Sequence, residues 1–324
     1  MSEPVKKEPL QQAQEPVDGY QLSTRPESLW HMALKKFLNN WLAIVGLVVM
    51  LTFIALAALA PWVAPFDPAK IDLLNVNASP SATHWLGTDH IGRDVVARLL
   101  YGSRISLLVG FCVAIGTVTL GSIIGAIAGY FGGWVDNVLM RFIDVMLSFP
   151  ALFLNILVLA IFGSNFIYLI MILVFTSWMG TARLVRGQFL QLREMQYVEA
   201  ARAIGVPAWQ VMFNHLLRNA TGPIIVTATL IVGGAILGES GLSFLGLGVQ
   251  PPQTSWGQML SNSNEYMLTN PMFTVYPGAC IFLTVLAVNF VGDGIRDALD
   301  PRQKVRIPKG RLAEWRARFS KSKA

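Results

Sequence analysis

Residues 41–60, WLAIVGLVVMLTFIALAALA, carry no charged side chain and stop at Pro61. About 20 apolar residues, rising 1.5 Å each, match the hydrocarbon thickness of a bilayer. In lipid every backbone N–H and C=O must be paired inside the protein, so a lone spanning segment has to be an α-helix. Five further apolar runs follow, at about 105–130, 138–162, 166–179, 224–247 and 276–291. Composition agrees: 53% of the 324 residues are hydrophobic and only 14% are charged, against about 25% in a soluble domain. The expected fold class is all-α, a polytopic membrane protein with six transmembrane helices. Some forty residues precede the first run, which is too long for a signal-peptide core, so Ala58-Leu59-Ala60 is not read as a cleavage site.

Six spans put both termini on one side, and Lys/Arg placement chooses it. Between the fourth and fifth runs lie Arg183, Arg186, Arg193, Arg202 and Arg218, and the tail is basic from Arg296 to Lys323. Residues 248–275 contain neither Lys nor Arg. The expected orientation therefore has both termini and loop 179–221 in the cytoplasm. In loop 61–104, on the outer side, Lys70, Arg93, Arg98 and Arg104 are offset by Asp67, Asp72, Asp89 and Asp94. The formal charge of +6 resides largely in the tail and does not call for nucleic acid. Cys112 and Cys280 sit in apolar runs and are read as buried thiols rather than a disulfide.

Several residues invite a functional reading. Glu239 lies in the fifth run, where a carboxylate is costly; it lines a translocation path or serves as a hydrogen-bonded structural element with Ser240 or Ser243. Asn155 and Asn289 suit the path, a subunit interface or helix–helix hydrogen bonds. Gly121, Gly125 and Gly129 share one helix face, which implies close helix packing, either static or at a sliding or subunit interface. His84, Asp89 and His90 lack regular metal-ligand spacing. Their neighbourhood reads instead as an amphipathic helix on the outer surface, capped by Thr88 or Asp89. Ile91, Val95, Val96, Leu99 and Leu100 form its stripe, and Asp94 pairs with Arg98. The motifs H-E-x-x-H, G-x-S-x-G, C-x-x-C and G-x-x-x-x-G-K-[ST] are all absent, so no catalytic residue, metal or cofactor is expected on this chain.

The most informative loop segment is EAARAIGVPAWQVMFNHLLR, residues 199–218. Ala200, Ala201 and Ala203 favour helix, Gly205 suits a left-handed cap, and Pro207 suits the start of a second helix. That second helix would turn Trp209, Val211, Met212, Phe213 and Leu216 to its apolar side. Ala200 and Ala201 would leave a flat surface with Glu199 at its edge, open to another protein. An inert loop and a DNA-binding helix–turn–helix are the competing readings, the latter disfavoured by its place between two spans.

The segment resembles the cytoplasmic EAA loop of ATP-binding-cassette importer permeases, E-A-A, three residues, then glycine; Glu199, Ala200, Ala201 and Gly205 match. The family pattern ends Ile-x-Leu-Pro. Leu217 matches it, whereas His215 and Arg218 replace the isoleucine and the proline, so the second helix should run on more smoothly while the docking surface stays intact. HWLGTDHIGRDVVARLLYGSRIS (84–106), ARLVRGQ (182–188), LSFLGLGVQPPQTSWG (242–257) and NFVGDGIRDALDPR (289–302) resemble the C-type permease of the dipeptide, oligopeptide and nickel branch. The resemblance implies a type I importer permease fold. It also implies a B-type permease as heterodimer partner, one or two ATPase subunits on the EAA loop, and an extracytoplasmic solute-binding protein. ATP would be used by those partners, with Glu199, Ala200, Ala201 and Gly205 coupling its hydrolysis to the membrane helices. The expected localisation is the cytoplasmic (inner) membrane. The expected substrate is a di- or oligopeptide, with nickel or glutathione as alternatives and a stand-alone secondary transporter as the reading from another class. The chain divides accordingly into an N-terminal segment (1–40), first span and outer loop (41–104), a five-helix core (105–300) containing loop 179–221, and a basic tail (301–324).

Overall fold

The computed structural model describes residues 29–263 and 266–299. The N-terminal residues before 29 and the basic tail from 301 lie outside the described residues. A short helix α1 (Leu29–Leu38) precedes α2 (Trp41–Val63), which Asn40 caps by accepting from the Ala43 N–H at 3.4 Å. Then come α3 (Val95–Phe131), α4 (Gly133–Leu147), α5 (Ala151–Phe162) and α6 (Phe166–Leu192). A helical loop follows: α7 (Gln196–Ala203), α8 (Ala208–Gln210) and a π-helical stretch (Val211–Leu217) leading into α9 (Arg218–Phe244). α10 (Trp256–Ser263) and α11 (Met272–Leu299) complete the described chain.

Five continuous helices are long and apolar enough to cross a membrane, and the bent pair α4–α5 brings the number to six when it is counted as one span. The expected single helix over 138–162 is thus two helices meeting at 80°. Pro150 explains the break: it has no N–H to give and disfavours helical backbone at Phe149. Other spans exceed their apolar runs. α6 reaches Leu192 although the run fades near 179, and α11 covers 272–299 rather than 276–291. Both helices continue into polar flanks that lie beyond the apolar run, with Arg183 and Arg186 on α6 and Asp293 and Arg296 on α11.

The expected amphipathic helix on the outer surface is absent as a separate element. Val95, Val96, Leu99 and Leu100 form the first turns of α3, a single helix of 37 residues, while Ile91 precedes it. Its cap is Asp94, which accepts from the Ala97 N–H at 2.7 Å, and not Thr88 or Asp89.

α3 is the central helix. Gly121, Gly125 and Gly129 place it against α6, running parallel: a Cβ added at Gly121 or Gly129 would fall 2.6 Å from Thr181 Cβ or Phe189 Cβ, and one at Gly125 would meet the Ala182 carbonyl. The glycine face is thus a close intramolecular contact, since without a hydrophobic force in lipid, van der Waals packing must hold helices together. It is therefore not available as a subunit interface. α9 is antiparallel to α3, with Gly110 against Val232 and Ile236, and α11 is antiparallel to α9, with Gly292 against Thr229. α2 is antiparallel to α11, where Gly46 meets Ala287 and Gly294 meets Ala43. These directions bring the start of α2, the ends of α3, α6 and α11, and the start of α9 to one end of the bundle, together with α7. Residues 84–94 and α10 occupy the other.

Candidate functional site

At the α7 end, residues 196–217 fold as the helix–turn–helix expected from their alanines, glycine and proline. α7 ends in a Schellman cap: Gly205 has φ +80°, its N–H donates to Arg202 O at 3.0 Å, and the Val206 N–H donates to Ala201 O at 3.0 Å. Val206 then packs against the apolar cluster that contains Ala201. After Pro207 the chain is helical from Ala208 to Phe244, with the π-helical stretch just before Arg218, the residue that replaces the motif proline.

The loop is anchored along one side. Val198, Ala201, Val211, Met212 and Leu216 are buried in one cluster with Ala126 of α3 and with Val185 and Phe189 of α6. Polar contacts reinforce it. The Arg202 guanidinium lies over the Tyr130 ring, 5.0 Å from its centroid, Arg193 Nη1 donates to Gly129 O at 3.3 Å, and Asn219 Nδ2 donates to the Tyr197 hydroxyl at 3.2 Å. Arg186 forks onto Asp136 at 2.5 and 2.6 Å, joining α6 to α4.

The other side is open. Glu199, Ala200, Ala203, Ile204 and Gly205 are exposed, Ile204 to 82%. Two expectations need correction. Ala201 faces the core and Ala200 alone of the pair is on the surface. Trp209 and Phe213, expected to share one apolar side with Val211, Met212 and Leu216, are instead exposed to 60% and 50%. The π-helical stretch widens the turn that follows Trp209, and only Val211, Met212 and Leu216 reach the ends of α3 and α6. An apolar ridge beside an acidic residue is left uncovered, a surface suited to another protein.

The opposite end is fastened by buried charge. Asp89 accepts from Arg98 Nη1 at 2.5 Å, from Arg93 Nε at 2.7 Å, and from the backbone N–H groups of Ile91 and Arg93 at 3.0 and 2.9 Å. Burial would raise the Asp89 carboxyl, but Arg98, the Ile91 N–H and Arg93 together hold it below the usual carboxylate range. Arg98 Nη2 donates to Gln258 Oε1 at 2.8 Å, tying α3 to α10. The predicted Asp94–Arg98 pair is therefore replaced. Arg98 turns to Asp89, and Asp94, besides capping α3, meets His84 Nδ1 at 2.9 Å.

Glu239 lies next in this chain of contacts. It is fully buried near the end of α9 and accepts from the Ser243 and Ser255 hydroxyls, each at 2.6 Å, with Ser240 at 3.5 Å. Ser255 Oγ also accepts from the Gln258 N–H at 3.1 Å, and Ser106 of α3 accepts from the Trp256 N–H at 3.1 Å. Glu239 thus joins α9 to the start of α10. The remaining candidates are elsewhere: Asn155 on α5 accepts from Thr176 of α6 at 3.1 Å, and Asn289 is half-buried on α11. His84 stacks on Phe66 and His90 on Tyr266, and no grouping of metal-ligand side chains occurs among the described residues. Sequence inspection missed Ser106, Ser255 and Gln258 as partners. Their only signal is polarity flanking a buried tryptophan, which no regular spacing announces.

Residues 121–305, more than half of the chain, match the model of the binding-protein-dependent transport system inner membrane component, and residues 28–80 match that of the N-terminal transmembrane domain of oligopeptide transport permease C. The chain belongs to this permease family. It is 42% identical over 277 residues, 86% of this chain and 91% of the relative, to the dipeptide transport system permease protein of Alkalihalophilus pseudofirmus. It is 41% identical over 297 residues, 91% of this chain and 95% of the relative, to the oligopeptide transport system permease protein of Haemophilus influenzae. It is 40% identical over 277 residues, 85% of this chain and 92% of the relative, to the glutathione transport system permease protein of Pectobacterium atrosepticum. This permease is thus a membrane-embedded subunit of an ATP-driven, binding-protein-dependent importer, with the type I importer permease fold. Such a subunit works with ATPase and binding-protein partners.

Proposed function

We propose that this permease is the C-type subunit of a peptide importer and that α7 couples ATP hydrolysis in a separate subunit to movement of the bundle. The observation that carries the reading is the two-sided character of α7. Val198 and Ala201 bind it to α3, α6 and α9, while Glu199, Ala200, Ile204 and Gly205 are open to a partner. A push on that surface has only one place to go, into the ends of three membrane helices. ATP closing a pair of ATPase subunits would draw α7 towards its counterpart on a B-type permease and switch the shared cavity from inward- to outward-facing; hydrolysis resets it. The missing P-loop accords with an energy source on another polypeptide.

The α7 end and both termini face the cytoplasm in this reading, supported by the arginines of 183–218 and the absence of Lys and Arg from 248–275. Dipeptides and oligopeptides are the proposed cargo, on the strength of the two relatives named for them; glutathione, the cargo named for the third, is itself a short peptide. Purification of the tagged permease from its native membrane in mild detergent, with mass spectrometry of what accompanies it, tests the assembly. A second six-span permease, one or two P-loop ATPases and a solute-binding protein are the expected companions. Recovery of a stable homo-oligomer alone would favour a self-sufficient transporter instead.

A further inference from the structure

Near the α10 end, a cleft of about 480 Å³ opens between α3 and residues 252–254. Tyr101, Arg104 and Leu108 form one wall, and Pro252, Gln253 and Thr254 the other. That volume lies within the usual range for small-molecule sites. Arg104 is the cation of the cleft. Its guanidinium lies over the Tyr101 ring, 5.7 Å from the centroid, and among the described residues no acidic side chain forms an ion pair with it. Arg93 and Arg98, by contrast, are both taken up by Asp89. From Arg104 an exposed stripe continues along α3 through Leu108, Phe111 and Ile115, the face that α2, α6 and α9 leave uncovered.

We propose that this cleft, with Arg104 held by Tyr101 opposite Gln253 and Thr254, receives the free carboxylate of a short peptide as it enters the bundle. A guanidinium fork matches a carboxylate, the neighbouring amide and hydroxyl can bond the last peptide group, and the apolar stripe suits the side chains that follow. The inference rests on the peptide-importer reading. An acidic loop of a docking protein is the weaker occupant, because residues 248–275 offer no second cation to meet it.

The test uses the complete importer in proteoliposomes, with trialanine and its C-terminal amide supplied at concentrations that fill the binding protein equally. Arg104→Ala should lower trialanine uptake by about tenfold and Arg104→Lys far less, as expected for loss or retention of one charge-assisted contact. Uptake of the amide and stimulation of ATP hydrolysis by the binding protein should be the same for wild type and Arg104→Ala. Unchanged trialanine uptake by Arg104→Ala overturns the proposal. Equal loss of both peptides, with loss of the stimulated ATPase, overturns it in favour of a protein-docking role. A wild-type importer that moves neither peptide brings down the peptide reading itself.

Discussion

The two ends of the bundle are built on opposite principles. At the α10 end, two carboxyl groups, two guanidinium groups, an amide and several hydroxyls are buried and bonded to one another, from Asp89 through Arg98 and Gln258 to Ser255 and Glu239, with Arg98 Nε left without a partner among the described residues. At the α7 end the buried contacts of the loop are mainly apolar, and Glu199, Ala200 and Ile204 face outward. Buried charge holds one geometry, because any shift strands an ion in low dielectric. Apolar packing tolerates small sliding. Under the proposed function, the more tightly bonded end is the one where α3, α9 and α10 meet, and the apolar-packed end is the one on which an ATPase would push.

Breaking the α10 end should cost most. Arg98→Ala leaves Asp89 with Arg93 alone and Gln258 unpaired, and should destabilise the protein by about 3–5 kcal/mol, read as a lower melting temperature in detergent. Substitution of Glu239 comes next. Glu239→Ala strands the Ser243 and Ser255 hydroxyls and should cost about 1–3 kcal/mol, whereas Glu239→Gln, which retains an acceptor, should cost less. Normal uptake by a stable Glu239→Gln importer would make Glu239 a structural residue and remove it from the translocation path.

At the α7 end, a Cβ added at Gly205 meets no atom within 4 Å, but Gly205→Val forces a β-branched residue to φ +80°. The local cost is about 1–2 kcal/mol, too small to prevent membrane insertion, yet it should reduce uptake by displacing the tip of α7. A smaller effect belongs to Asp144, whose pair with Arg183 at 2.5 Å is half-exposed; Asp144→Ala should change stability by less than about 1 kcal/mol. Acidification separates the two ends once more. Since the Asp89 carboxyl titrates below its ordinary range, its contribution is complete above the unfolded value of about 3.9 and is lost as pH falls through the lower folded value. The stability gap between wild type and Asp89→Asn should therefore be constant from about pH 8 to 5 and shrink below about pH 4.

The same contrast separates what could be read in the sequence from what could not. The spans, the turn at Gly205 and the glycine face of α3 are local: each is written in consecutive residues or in a fixed helical spacing. The break at Pro150 was equally local but was overridden by the apolar run around it. The α10-end network was not legible, because Arg98 and Gln258 lie 160 positions apart and polar partners across a bundle carry no period. Asp94 and Arg98 stand at the spacing of an i,i+4 pair, and burial instead gave Arg98 to Asp89, which the helix cap leaves free to receive it. Nor could periodicity tell Ala200 from Ala201, since their sides are set by what α3 and α6 present.

The central claim, that α7 is the surface through which an ATPase acts, is tested most directly by site-specific crosslinking in the assembled importer. Single cysteines replace Ala200, Ile204 or Ala201 in a chain whose Cys112 and Cys280 have been changed to serine. The account predicts a crosslink to a P-loop ATPase from the exposed positions 200 and 204, altered by ATP, and none from the buried position 201. Failure of positions 200 and 204 to reach any ATPase in an importer that still transports would contradict it.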